Sequence, residues 1–145
     1  MSTREGQKKI YFAGAIRGGR GDAAIYLNIV KQLAKYGHIL TEHVGDAALS
    51  SSGETADDRH IHDRDLAWLR ESQILVAEVT VPSLGVGYEI GKATEWGKPV
   101  LCLYRPQAGR SLSAMIAGSK DIVLKEYEST SQLEEIFCTF FTDQE

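Results

Sequence analysis

The run Val81-Pro82-Ser83-Leu84-Gly85-Val86-Gly87-Tyr88-Glu89-Ile90-Gly91 decides how this chain is read. It follows an unbroken apolar stretch, Ile74-Leu75-Val76-Ala77, which ends in Glu78-Val79-Thr80. A strand empties into a Pro-Ser-Leu-Gly turn, and a helix begins there. In open α/β sheets, ligands sit where strands end and helices begin. The free N–H groups of a helix's first turn suit an anion such as phosphate. Glu89 puts a carboxylate close to that turn. The run therefore predicts an anion site with an acid beside it.

Outward from this run, strand and helix alternate. Residues 9–13 (KIYFA) form the first expected strand. Residues 22–36 form a helix, with Ile25, Ile29, Leu33 and Tyr36 at helical spacing and Gly37 as its stop. Residues 38–41 are strand two. Residues 44–60, rich in Ser, Gly, Asp and Ala, are expected to be a mobile loop. A helix over 61–72 leads into strand three (74–79), and a helix over 85–96 into strand four (100–104). A short helix over 112–117, strand five (122–125) and a last helix over 131–141 complete the pattern. Ser131 is the expected cap of that last helix, with Glu134 three residues on. Five strands joined by helical crossovers predict an α/β fold. The sheet should be parallel and doubly wound, in flavodoxin-like, Rossmann-like order, as a three-layer sandwich.

Composition narrows the function. The chain has 145 residues, 43% hydrophobic and 25% charged, which suits one domain with a full core. Its formal net charge of −4 argues against a nucleic-acid backbone as partner, because such a face needs a basic excess. No apolar stretch is long enough to span a bilayer, and residues 1–9 lack the apolar core of a signal peptide. Cys102 and Cys138 fall in an expected strand and an expected helix. Both are expected to be reduced, buried thiols of an intracellular protein.

Several residues could carry chemistry. The loop Gly14-Ala15-Ile16-Arg17-Gly18-Gly19-Arg20-Gly21 follows Phe12 and Ala13 at the end of strand one. Its glycines allow close backbone approach, and Arg17 can pair with phosphate oxygens. The plainer alternative is a flexible turn. The glycine spacing is neither a dinucleotide-binding fingerprint nor a P-loop, so dinucleotide and ATP chemistry are disfavoured. Ser83, Gly85 and Gly87 form either a phosphate cradle or a capped helix start with glycines for tight packing.

Glu89 is the expected nucleophile, against the alternative that it only answers a positive helix end. Ile61, Asp65 and Leu69 are spaced by four, so Asp65 falls within an apolar stripe, where desolvation suits a proton donor. A surface charge is the alternative, since Asp63 and Arg64 are adjacent. Glu78 is a competing acid or a loop anchor. Tyr11 is core or faces a ligand, His43 contacts substrate or is solvated, and Tyr26 covers a pocket. His60 and His62 lack zinc-ligand spacing, and no metal or other cofactor is expected.

Together, Tyr11 to Arg20, Leu40-Thr41-Glu42-His43-Val44, Ile61 to Leu66, Ala77 to Thr80 and Pro82 to Glu89 resemble the nucleoside 2-deoxyribosyltransferase family. So do Leu103-Tyr104-Arg105-Pro106-Gln107 and Gly109 to Ile116. The pattern is that of the family's hydrolases. The resemblance implies a homodimer that cleaves the N-glycosidic bond of deoxynucleoside monophosphates, leaving a free base and 2-deoxyribose 5-phosphate. It makes Glu89 the nucleophile and Asp65 the acid, with Tyr11 and Arg17 orienting sugar and phosphate. Tyr26 and His43 line the pocket. Phe12, Ala13, Gly14, Ala15, Ile16 and Gly18 form the loop against the substrate. Ser83 and Gly85, with Ser113, Ala114 and Met115 from the partner subunit, complete the phosphate site. From sequence alone Ser113 is equally a helix cap.

The resemblance also implies a cytoplasmic or nuclear protein. Vertebrate relatives carry Cys-Gly-Ser where this chain has Ala13-Gly14-Ala15, so a hydroxyl is missing. One lost hydrogen bond of that kind costs roughly 1 to 3 kcal/mol. Two rivals stand beside the hydrolase: a transferase passing deoxyribose to an acceptor base, and a nucleotide-binding module without turnover.

Overall fold

The computed structural model describes residues 7–15, 22–41 and 57–144. Within them β1 (Lys9–Ala13), β2 (His38–Leu40), β3 (Ile74–Glu78), β4 (Val100–Tyr104) and β5 (Val123–Glu126) form one sheet in the order β2-β1-β3-β4-β5. Every pair is parallel, with Tyr11 opposite Leu75 and Ala77 opposite Cys102. This is the expected doubly wound, flavodoxin-like order.

Strand side chains alternate between faces. Ile10, Phe12, Ile74 and Val76 pack with α1 (Ala23–Leu33) and α5 (Leu133–Asp143) through Ile29, Leu33, Phe137 and Phe141. Tyr11, Ala13, Leu75 and Ala77 pack on the other face. There they meet Leu69 of α2 (Asp58–Glu71) and Val86, Ile90 and Ala93 of α3 (Leu84–Glu95). The strand order reverses between β1 and β3, so the crevice beyond their carboxyl ends is where such a fold binds ligands.

Local chemistry explains where elements begin and end. α1 stops at Leu33, and the chain turns at Gly37 directly against the Lys8 carbonyl. A Cβ at Gly37 would collide with that oxygen, which instead accepts the His38 N–H at 2.7 Å. α2 begins at Asp58, earlier than expected, because the Asp57 side chain accepts the His60 N–H at 2.8 Å. That cap lay hidden in a segment read as loop. The rest of that segment, 44–56, lies outside the described residues.

The cap expected at Ser131 is displaced. Gln132 accepts the Ser129 N–H at 3.1 Å, a 3-10 turn covers Thr130–Gln132, and α5 starts at Leu133. The short helix α4 (Ala114–Ala117) follows Ser113. Cys102 is buried as expected, and burial pushes its thiol up to about 12. Cys138 is exposed, contrary to expectation, because it lies off the stripe that turns Phe137, Phe140 and Phe141 inward. Among the described residues no helix is long and apolar enough to cross a membrane.

One buried acid holds the carboxyl edge of the sheet together. Glu78, 0% exposed, accepts the Thr80 N–H at 2.9 Å, the Thr80 hydroxyl at 2.7 Å and the Tyr127 hydroxyl at 2.6 Å. Arg105 adds its Nε at 3.4 Å and reaches Asp22, just before α1, at 3.0 Å. Glu78 is therefore an anchor and not a second catalytic acid. Glu78→Ala strands these donors and is expected to cost about 3 kcal/mol. Cys138→Ser, on the exposed face of α5, should stay within about 0.5 kcal/mol of the parent protein. Chemical denaturation of both variants checks this contrast.

Candidate active site

Tyr11 lies on the sheet face covered by α2 and α3 and is 1% exposed. Its hydroxyl donates to Glu89 Oε2 at 2.5 Å. Glu89 is brought there by the start of α3. Pro82 and an extended Ser83 end the incoming chain, and Ser83 Oγ accepts the Val86 N–H at 3.2 Å. Val86, Ile90 and Ala93 then turn one stripe of α3 into the core. Glu89, three residues after Val86, stands on the flank of that stripe and is partly buried.

Asp65 comes from α2. Leu69, one turn on, is 0% exposed and Asp65 itself 6%, so the apolar stripe reads as expected. Its Oδ1 accepts Arg64 Nε and Nη2, each at 2.9 Å. Burial is the main reason the Glu89 carboxyl is pushed up to about 7; the Tyr11 hydrogen bond opposes the shift and the Asp65 charge adds to it. The two acids are thus close enough to interact through their charges. A strand and two helices deliver a phenol and two carboxyls to one place. Two such carboxyls can divide the roles of nucleophile and proton donor.

The end of β1 forms the neighbouring wall. Ala13 and Ala15 are buried. Phe12 points to the opposite face and meets the Tyr26 ring edge-on, with centroids 5.8 Å apart. Tyr26 is 5% exposed and lies directly beneath Gly14. A Cβ at Gly14 would come within 3.2 Å of the Tyr26 ring, so this approach favours glycine. Burial raises the Tyr26 hydroxyl above its ordinary range, and an Ala15 backbone hydrogen bond opposes that rise. Tyr26 therefore supports Gly14 and Ala15 from the core.

Gly85 and Gly87 are not held by tight packing against the described residues. Among the described residues, a Cβ at Gly85 would meet only Ser83 Oγ, at 3.9 Å, and one at Gly87 nothing within 4 Å. Ser113 caps α4 by accepting the Met115 N–H at 3.1 Å, and Ser113, Ala114 and Met115 all face outward. Ile16, Arg17, Gly18 and His43 lie outside the described residues. Among the described residues no three His, Cys, Asp or Glu side chains gather as they would around a metal ion. Arg105, which ties Glu78 to Asp22, was not singled out from the sequence. Its place directly after strand four was the available signal.

The nucleoside 2-deoxyribosyltransferase family matches residues 10–123. A Nematostella vectensis protein, provisionally named 2′-deoxynucleoside 5′-phosphate N-hydrolase 1, is 56% identical over 93% of this chain and 95% of its own length. A Mus musculus protein named 5-hydroxymethyl-dUMP N-hydrolase is 61% identical over 77% of this chain, which spans 66% of that protein. A solved 2-deoxyribosyltransferase from Bacillus psychrosaccharolyticus shares the fold, with a TM-score of 0.66 at 19% identity, over 91% of this chain and 95% of that one.

The raised Glu89 carboxyl has a cost that depends on pH. An unfolded Glu89 ionises near its ordinary 4.5, whereas the folded one holds its proton to about 7. The contribution of this one group to stability is therefore greatest below about 4.5, falls as pH rises to about 7, and levels off above it. Glu89→Gln removes that loss. Its stability relative to the parent should rise by about 2 to 3 kcal/mol between pH 4.5 and pH 8. Thermal unfolding across that range tests this; a difference that does not change with pH would refute it.

Proposed function

The chain belongs to the nucleoside 2-deoxyribosyltransferase family, and from that premise we propose that it hydrolyses the N-glycosidic bond of 2′-deoxynucleoside 5′-monophosphates. The products are a free base and 2-deoxyribose 5-phosphate. The observation that carries this reading is the meeting of Tyr11, Glu89 and Asp65 at one end of the sheet. The N-hydrolase names of the Nematostella and mouse relatives supply the substrate class, and 5-hydroxymethyl-dUMP is the first substrate to assay.

The chemistry is a double displacement. Ionised Glu89 attacks the anomeric carbon as the base leaves with a proton from Asp65. A glycosyl ester forms on Glu89. Water then attacks the same carbon, gives its proton to Asp65, and frees the Glu89 carboxylate. Retaining glycosidases use two carboxyls in this way through an oxocarbenium-like transition state. The absent 2′-hydroxyl removes an electron-withdrawing group, so that cation forms more readily. Tyr11, which donates to Glu89, steadies its charge between the two steps.

The substrate's phosphate is bound by the loop after β1 with Arg17, by Ser83 and by the open N–H groups around Gly85. The protein acts as a homodimer, with Ser113, Ala114 and Met115 of one protomer completing the partner's phosphate site. Exposed apolar side chains support such an interface: Leu84 is 96% exposed and Met115 82%. A cytoplasmic or nuclear location suits the two free cysteines.

Glu89→Gln is expected to lower base release at least about 10³-fold while remaining folded. For the parent protein, kcat/KM should fall as pH rises through about 7, where the Glu89–Asp65 pair loses the one proton that the first displacement needs. A panel of deoxynucleoside and ribonucleoside monophosphates, read as free base by chromatography, measures both. Full turnover by Glu89→Gln would overturn the mechanism, and a new nucleoside formed when free base is added would mark a transferase. The dimer has its own test. Mixing inactive Glu89→Gln with impaired Ser113→Ala should restore activity, because one site of the mixed dimer then has both groups intact.

A further inference from the structure

We propose that Arg64 is a positioning residue for the proton donor: it holds Asp65 Oδ1 so that Oδ2 is the oxygen that delivers the proton to the departing base. This inference rests on the assignment of Asp65 as the acid.

Adjacent positions on a helix do not face one another, so Arg64 must fold across α2 to reach Asp65. It does so with its guanidinium on the ring of Trp68, one turn further on, 4.7 Å from the centroid. The Arg64 side chain is 20% exposed and that of Asp65 8%, so both ends of the contact are shielded from water. Arginine and carboxylate commonly pair fork to fork, one N–H on each oxygen. Here both Nε and Nη2 fall on Oδ1, at 2.9 Å each. Among the described residues, no hydrogen bond with a described partner reaches Oδ2.

Two consequences follow for the reaction. A guanidinium stays protonated in proteins and accepts nothing, so the oxygen it covers is closed to a transferable proton. The fork also prevents the carboxyl from rotating to exchange its oxygens. The proton on Asp65 is therefore confined to Oδ2, where it passes to the base nitrogen as the glycosidic bond breaks. Asp65 is left as the carboxylate that later takes a proton from water.

A residue acting through the acid matters only when the leaving group needs a proton. The test compares two substrates. One is the monophosphate cleaved fastest in the panel. The other is 2-deoxyribose 5-phosphate bearing 4-nitrophenolate, which leaves as a stable anion. The burst of nitrophenolate reports the first displacement alone.

Arg64→Met should slow base release by about 10- to 100-fold with little change in KM, yet slow the nitrophenolate burst by less than about threefold. Asp65→Asn should show the same pattern with a larger loss on the nucleotide. An equal loss on both substrates, or none, for Arg64→Met overturns the inference. If Asp65→Asn keeps the burst and Arg64→Met does not, only the role of Arg64 falls. If Asp65→Asn loses both alike, the acid assignment falls and this inference with it. Arg64→Gln serves in the same comparison if the methionine variant does not fold.

Discussion

The hydrogen bond from Tyr11 to Glu89 is the contact on which the site depends. A carboxyl that burial pushes up to about 7 is poised between a held proton and a negative charge. The phenol at 2.5 Å works against that burial and keeps ionisation within reach. Its position is a consequence of parallel-sheet geometry. Tyr11 sits between Ile10 and Phe12, which face the other layer, so alternation alone directs it toward α2 and α3. Without the strand order β2-β1-β3, the end of β1 would not lie beside the turn that starts α3.

The carboxyl edge of the sheet carries a second, separate polar network. Glu78 is surrounded by donors from Thr80, Tyr127 and Arg105, and Arg105 extends the network to Asp22. A fully buried acid is tolerated because its lone pairs are used. Glu89 and Glu78 lie close in sequence and differ in this respect. Glu78 is enclosed by fixed partners. Among the described residues Glu89 has one hydroxyl and a neighbouring acid, surroundings that suit the change of charge proposed for it.

Much of this was legible in the chain. The alternation of Ile74-Leu75-Val76-Ala77 with helical stripes gave the elements and their layers, because apolar periodicity reports burial directly, while the strand order rested on the preferred topology of such folds. Asp65 stood out because a carboxylate in the Ile61–Leu69 stripe has no cheap structural reason. The exceptions were side-chain events without a periodic trace. Asp57 became a helix cap inside a polar stretch, Ser129 took the place expected for Ser131, and Cys138 turned outward beside Phe137. Arg105 and Tyr127 gained their roles only through three-dimensional proximity to Glu78. Arg17 and His43 were expected at the site from their places after strands one and two and from the family resemblance, and their positions lie outside the described residues.

The contact of Tyr26 with Gly14 gives the sandwich a division of labour. Tyr26 belongs to the layer of α1 and α5, while Tyr11 faces the layer of α2 and α3, from which Asp65 and Glu89 come. The wall proposed to grip a substrate's charged tail is thus shored up from one side of the sheet, and the groups proposed to break the bond are mounted on the other. Natural drift or laboratory redesign can rework tail recognition through the α1 layer while the acids keep their spacing. One scaffold can then serve substrates with different tails around an unchanged reaction.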